Sequence, residues 1–223
     1  MDAQRISRVL RSRRQARAAY DRLSSWYDLM AGGLESRPRD AAARMLDLRA
    51  GEVVLEIGCG TGRALEAMSR AVGASGRIHG IDISKGMLDV ARRRIEPEAH
   101  AGSISLQQAD ALNLPFAAHC FCGVLLSFTL ELFDTPEIPL VLAECMRTLR
   151  REGRICVLGL SKKGGANTIT RVYEWAHARL PQYADCRPIF VQGSLEEAGF
   201  RILDAVKLSL GGLQAESVLA QAP

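Results

Sequence analysis

The stretch from Val53 to Leu65, VVLEIGCGTGRAL, narrows most what this chain can fold into. It reads as a short apolar strand, an acid, three glycines at alternate positions and the start of a helix. Gly58, Gly60 and Gly62 make a G-x-G-x-G turn, with Glu56 two residues before it. Glycines there let bare backbone approach a ligand, because side chains would stand in the way. Taken alone, the turn also suits an ordinary strand-to-helix loop. Its neighbours have to decide.

After Gly51 strands and helices alternate. Strands are predicted at Val53 to Ile57, Arg77 to Ile83, around Ile104 and Leu106, Cys122 to Phe128, and Arg154 to Leu160. The fourth and fifth are nearly continuous in apolar residues, which suits a parallel sheet covered by helices on both faces. Helices are expected from Thr61 to Val72, from a Ser84 cap through Ile95 with Pro97 just beyond, and from Thr135-Pro136 to Leu149. A further helix is expected over Thr168 to Leu180, and Ser194-Leu195-Glu196-Glu197 reads as a capping box opening a short helix that stops at Gly199. Arg201 to Leu208 and Leu213 to Ala220 follow as strands, with Gly211-Gly212 at hairpin distance, so that pair should be antiparallel. The fold class is α/β.

Before Gly51 the character differs. Arg5, Arg8, Arg11, Arg13, Arg14 and Arg17 dominate the first residues. Three readings stay open: a solvated helix with frayed ends, an arm touching anionic lipid, and a transit peptide. Tyr20 to Met30 places three aromatics on a helix-compatible stretch that the Gly32-Gly33 pair should end. Ser36 then reads as an N-cap, with Pro38 in the first turn of a helix through Leu48.

The net charge of +4 permits an anionic partner without demanding nucleic acid, and none is expected. No run of roughly 18 uncharged apolar residues predicts a membrane span. Six cysteines without a ligand-like spacing are expected to be reduced, in a cytoplasmic protein. Cys120 and Cys122 form a C-x-C with no matching pair nearby, so no metal is expected. The oligomeric state stays open.

In an open α/β sheet, ligands bind beyond the carboxyl ends of the strands, near the point where strand order reverses. Four strand ends carry suitable groups: the glycine turn, Asp82, Asp110 in Gln108-Ala109-Asp110-Ala111, and Ser127 to Glu131. Asp82 is placed to accept hydrogen bonds from both hydroxyls of a ribose, although an aspartate there also suits a helix cap. A dinucleotide oxidoreductase would carry G-x-G-x-x-G, with glycine at 63; this chain has Arg63, which leaves that class a minor alternative.

VLEIGCGTGRAL, GIDIS, QADALNLPF and LRREGRICVLGLS, in this order, resemble the successive motifs of class I S-adenosylmethionine-dependent methyltransferases, over roughly Tyr20 to Ser161. YDRLSSWYDLM is similar to the Y-D-x-x-x-x-x-Y-D pattern of the branch that holds the quinone-biosynthesis C-methyltransferases and related lipid and small-molecule enzymes. The resemblance implies a Rossmann-like, seven-stranded, mostly parallel sheet with the last strand antiparallel. Residues 1–50 would form a helical cap over the active site. Residues 51–223 would form the methyltransferase domain, with a helical insertion at about 162–200.

S-adenosylmethionine is the implied cofactor. Gly58, Cys59 and Gly60 would pack against it, and Glu56 would orient the loop or meet its amino group. Asp82 would hold the ribose, Ile83 would cover the adenine with Met87 nearby, and Asp110 and Ala111 would line the adenine edge. Ser127 would sit at the methionine end, which Tyr27 would help to close. The quinone enzymes usually carry a Phe-Gly-Leu-Arg-Asn-like stretch after strand four; here it is Phe128-Thr129-Leu130-Glu131-Leu132-Phe133-Asp134, without arginine or asparagine. The Asn/Asp-Pro-Pro-Tyr/Phe tetrapeptide of DNA adenine methyltransferases is missing as well.

The implied activity is methyl transfer to a small-molecule or lipid-like acceptor, in which placement supplies most of the rate. Glu131 is the best-placed candidate base, ahead of His119, which should lie at the far end of strand four, and His177. A cofactor-binding scaffold or regulator without methyl transfer is the alternative from another class.

Overall fold

The computed structural model describes residues 6, 8, 9, 11–27, 32–96, 103–163 and 186–223. In chain order the elements are α1 (Arg13–Leu23), α2 (Gly32–Met45), β1 (Val53–Ile57), α3 (Arg63–Val72), β2 (Arg77–Asp82), α4 (Lys85–Ile95) and β3 (Ile104–Gln108). Then come β4 (Phe121–Ser127), a 3-10 turn (Leu130–Leu132), α5 (Ile138–Thr148), β5 (Leu149–Leu160), α6 (Val191–Glu197), β6 (Arg201–Leu210) and β7 (Leu213–Gln221). The expected helix over Thr168 to Leu180, with His177, lies outside the described residues. So do Asp28 to Met30, Pro97 and most of the proposed insertion.

The seven strands form one sheet in the order β3-β2-β1-β4-β5-β7-β6. The pairs from β3 through β5 are parallel, while β7 runs antiparallel to both β5 and β6. The glycine hairpin is therefore where the sequence put it. Strand order reverses between β1 and β4, whose ends stay level, with Ile57 beside both Ile81 and Leu126. That reversal opens the crevice in which sheets of this kind bind ligands.

Side-chain alternation divides the core. Leu55 and Ile57 join Val124, Leu126, Val141 and Leu142 on one face, and Val54 joins Leu125, Ala42, Leu46, Leu65 and Met68 on the other. Glu56 therefore points to the same side as Val54, toward α2. Burying these rows at ~25 cal/mol per Å² of apolar area is what holds the strand ends level.

Four helix starts differ from expectation. α2 begins at Gly32, not Ser36, so the glycine pair is part of the helix and Pro38 lies inside it. The burial of Ala42, Ala43 and Leu46 and the Glu35–Arg39 ion pair (2.6 Å) outweigh glycine's cost of ~1 kcal/mol per residue. α3 begins at Arg63, behind Gly62 in a left-handed conformation (φ 80°), so Thr61 stays in the turn. α5 begins at Ile138, because Asp134 to Glu137 form a turn in which the Asp134 carbonyl accepts the Glu137 N–H at 2.8 Å.

α6 begins at Val191, and Ser194 lies inside it rather than capping it. The Val191 N–H donates instead to Glu216 Oε1 of β7 at 3.1 Å. A carboxylate from another strand thus sets that start. Ser84 caps α4 as expected, its hydroxyl accepting the Met87 N–H at 3.1 Å.

Candidate functional site

A cavity of about 940 Å³ lies beyond the carboxyl ends of β1, β2 and β4. Small-molecule sites span ~300–1,000 Å³, so this one has room for two ligands side by side. Glu56, Gly58, Cys59, Gly60, Asp82, Ile83, Met87, Asp110, Ala111, Ser127 and Tyr27 all line it. Residues from strands, a helix and the loops between them thus converge on one space.

The glycine turn is held by β2. The N–H groups of Gly58 and Cys59 donate to the Ile81 carbonyl at 2.8 and 3.0 Å. The Gly60 N–H donates to Asp82 Oδ2 at 3.0 Å, while Asp82 Oδ1 accepts the Ser84 N–H at 2.8 Å. Asp82 thereby braces both the turn and the start of α4. Burial pushes its carboxyl up to about 6, and the N–H groups of Ser84, Gly60 and Ile83 limit the rise. Cys59 packs its sulfur against Gly80, and burial lifts its thiol well above the ordinary value.

Glu56 is the deepest acid of the site. Burial raises its carboxyl to about 8; Arg39 works against that rise and the charge of Asp82 adds to it. Arg39, almost buried beside Glu35, was not singled out in the sequence, because nothing local distinguishes it from the other arginines of that helix. Two buried polar atoms here have no protein partner: Glu56 Oε2 and Ser127 Oγ. Buried polar groups in folded proteins are almost always satisfied, so these two call for a ligand that donates hydrogen bonds. An amino acid's ammonium group is of that kind.

The adenine-side expectation also lands on the cavity wall. Asp110 Oδ1 accepts the Leu112 N–H at 3.1 Å, and Met87 and Ala111 are buried beside it. Ile83 continues the wall from β2. At the other end Phe128 adopts φ 51°, unusual for a bulky residue, as the chain turns out of β4. Thr129 donates its hydroxyl to the Ser127 carbonyl at 3.0 Å, fixing that turn.

Glu131 corrects the sequence reading. It is fully buried and does not line the cavity; its Oε1 accepts the Leu160 N–H at 3.1 Å, and its carboxylate packs over Gly159. It braces the end of β5 and is not part of the cavity wall. His119, at the opposite end of β4, is exposed and bonded to the Leu149 carbonyl at 3.0 Å.

The amino-terminal segment forms one side of the cavity. Arg8 pairs with Asp134 at 2.6 Å, and Arg13 pairs with both Asp110 and Glu137 at 2.7 Å. The Arg8 bond holds the Asp134 carboxyl down to about 2. Tyr20 and Tyr27 lie with ring centroids 6.4 Å apart, and Arg11 sits 5.8 Å over the Tyr20 ring. Arg8 and Arg13 thus pair with acids of the cavity rim while staying exposed. Sequence spacing carries no sign of which arginines find such partners.

Among the described residues no group of histidine, cysteine, aspartate and glutamate is arranged to hold a metal ion. None of their helices is long and apolar enough to cross a membrane.

A methyltransferase-domain family model matches residues 54–153. A demethylmenaquinone methyltransferase of Symbiobacterium thermophilum is 34% identical over 66% of this chain and 59% of its own length. The ubiquinone/menaquinone biosynthesis C-methyltransferase UbiE of Saccharophagus degradans is 30% identical over 78% of this chain and 66% of its own. The chain spans about six tenths of the length of several curated relatives that it matches. Among solved structures, the [4+2]-cyclase SpnF superposes with a TM-score of 0.76 at 18% identity, covering 96% of this chain and 97% of that one. The shared fold does not by itself assign an activity.

Proposed function

Since the chain belongs to the class I S-adenosylmethionine-dependent methyltransferases and resembles their quinone-biosynthesis branch, we propose that it transfers a methyl group from S-adenosylmethionine to a quinone-like or lipid-like small molecule. The observation that carries this reading is the pair of carboxylates, the buried Glu56 and the half-buried Asp82, flanking the glycine turn, with Glu56 Oε2 and Ser127 Oγ open to a donor. When bound, the cofactor supplies an already activated sulfonium methyl.

The chain's task is then placement. Glu56 and Ser127 would hold the amino-acid end, Asp82 the ribose hydroxyls, and Asp110 with Ala111 the adenine edge. Ile83 and Met87 would cover the ring. Gly58, Cys59 and Gly60 would let the backbone run close to the ligand. Residues 1–50 would serve as the cap, with Tyr27 closing the cavity over the acceptor. Orienting a nucleophile in this way reaches effective molarities of ~10⁵–10⁸ M in model reactions, which makes a dedicated base dispensable for a reactive acceptor.

The arginine that quinone enzymes carry after strand four is missing from that loop, yet Arg187 brings a guanidinium to it. Fully buried, Arg187 donates to the Phe133 carbonyl and, at 3.2 Å, to Thr135 Oγ1. The loop after β4 is thus braced by a cation from a distant part of the chain, one that does not line the cavity.

The test is turnover. Wild-type protein with S-adenosylmethionine and demethylmenaquinone should form S-adenosylhomocysteine and a methylated quinone. Asp82→Ala should lose about a hundredfold of that rate at limiting cofactor, through the loss of two charge-assisted hydrogen bonds. Tight cofactor binding with no acceptor-dependent product, from the quinone or from total cell lipid, would point to the scaffold or regulator instead.

A lipophilic acceptor also implies a meeting with the bilayer surface, in the cytoplasm. Arg14, Arg17 and Arg22 are exposed along α1, and Trp26 is 64% exposed just after it. Each such cation contributes ~1 kcal/mol at an anionic surface, so replacing all three by glutamine should weaken binding to phosphatidylserine vesicles about a hundredfold. Binding that is unchanged, or equal on neutral vesicles, would rule this contact out.

A further inference from the structure

α1 has no buried residue, so burial of an apolar face does not explain how this helix is seated. At its far end the seat is polar and specific. Asp21 Oδ1 accepts two hydrogen bonds, from Ser84 Oγ at 2.7 Å and from the Gly86 N–H at 2.9 Å. Ser84 is fully buried, and the same hydroxyl accepts the Met87 N–H. Asp21 and Ser84 together satisfy two of the N–H groups that the first turn of α4 leaves without helical partners.

The connection continues inward. The Ser84 N–H donates to Asp82 Oδ1 and the Gly60 N–H to Asp82 Oδ2. Asp21, Ser84, Asp82 and Gly60 are thus joined by three successive hydrogen bonds, from the outer segment to the glycine turn. The backbones meet closely as well. A Cβ on Gly86 would lie 2.8 Å from Ser24 Oγ, 3.0 Å from the Asp21 carbonyl oxygen and 3.1 Å from Asp21 Cα. Only glycine lets the segment come that near.

We propose that Asp21 is a positioning residue that couples the seating of the amino-terminal segment to the carboxylate that holds the cofactor's ribose. The proposal rests on the methyltransferase reading above. It gives the two members of the Tyr20-Asp21 pair separate tasks: Tyr20 lines the cavity, and Asp21 fixes the segment that carries it. A seated segment sets Ser84, Ser84 sets Asp82, and an ordered Asp82 keeps the glycine turn in the shape that receives the cofactor. Coupling of this kind is reciprocal, so a bound cofactor must also hold the segment down.

The experiment uses the full chain and S-adenosylhomocysteine as the probe. Affinity is measured by calorimetry, and seating of the segment by the rate of tryptic cleavage after Arg14 and Arg17. In wild type the ligand should slow cleavage. Asp21→Ala should weaken binding about tenfold and abolish the protection, because a charge-assisted acceptor is lost at a distance from the ligand. Asp21→Asn keeps the accepting oxygen and should stay within about threefold of wild type. Gly86→Ala pushes the Asp21 backbone away without touching its carboxylate, and should reproduce Asp21→Ala if the latter folds poorly.

Wild-type affinity in Asp21→Ala, with or without faster cleavage, would overturn the coupling. So would an Asp21→Asn variant as damaged as Asp21→Ala, since charge and not the hydrogen bonds would then matter. Wild-type protein that fails to bind S-adenosylhomocysteine would sink the methyltransferase reading itself.

Discussion

Glu56→Gln will raise the melting temperature of the ligand-free protein at pH 8 and weaken its binding of S-adenosylhomocysteine by about ten- to a hundredfold. Both effects have one cause. Glu56 is buried, and its carboxyl is pushed up to about 8, by burial first, with Arg39 opposing and Asp82 adding to the rise. Its ordinary value is 4.5, so between these limits the folded protein binds a proton that the unfolded chain does not. This group's contribution to stability is then fully present below about pH 4.5 and lost as pH rises through about 8. Asp82, raised from 3.8 to about 6, has the same sign.

Glutamine carries no charge to bury, so its gain over wild type should be near zero at pH 5 and should grow toward pH 8. For a chain of this size, each kcal/mol moves the melting temperature by ~2–4 °C. Binding runs the other way. A ligand's ammonium needs an ionised carboxylate, and hydrogen bonds to charged groups contribute ~1.5–3 kcal/mol. Wild-type affinity should therefore rise more steeply from pH 6 to pH 8 than that of the variant, in which Asp82, with its carboxyl at about 6, is the acid of the pair that still titrates. Identical melting curves at both pH values would show that Glu56 is already ionised in the free protein. Unchanged affinity would remove it from the site.

This opposition between stability and binding also accounts for what was legible in the sequence. Residues fixed by local backbone chemistry could be read directly: the glycine turn, the Ser84 cap, and Asp82 at a strand end. Each has a role set by its immediate neighbours. Features set by tertiary contacts could not. Ser194 looks like a cap, but Glu216 on β7 decides where α6 starts. Glu131 sits one short turn beyond β4, where a small rotation decides between the cavity and β5; Phe128 at positive φ sends the chain toward β5. Arg39, Arg8 and Arg13 look like any helix-surface arginines until Glu56, Asp134 and Asp110 are brought opposite them. Charged residues with long side chains carry little positional information in sequence, since each can reach several partners.

Gly58→Ala and Gly60→Ala should fail in different ways, and the contrast locates the ligand. Both positions have positive φ, 69° and 52°, which costs an ordinary residue ~1–2 kcal/mol. At Gly58 a Cβ would also lie 2.4 Å from Thr129 Oγ1 and 2.6 Å from Thr129 Cγ2. Thr129 is buried and its hydroxyl is committed to the Ser127 carbonyl, so it cannot yield without loosening the end of β4. Overpacking adds ~1–3 kcal/mol, and Gly58→Ala should melt roughly 5–15 °C below wild type. At Gly60 a Cβ would meet no protein atom within 4 Å. Gly60→Ala should therefore fold with a melting temperature only a few degrees lower, yet lose about a hundredfold or more in S-adenosylhomocysteine affinity, because the added methyl projects into space reserved for the ligand. Adding Thr129→Ala should restore part of the stability of Gly58→Ala and do nothing for Gly60→Ala, the non-additivity expected of residues in direct contact. Wild-type affinity in a folded Gly60→Ala protein would mean that the cofactor does not run along this turn, whatever the sequence motif suggests.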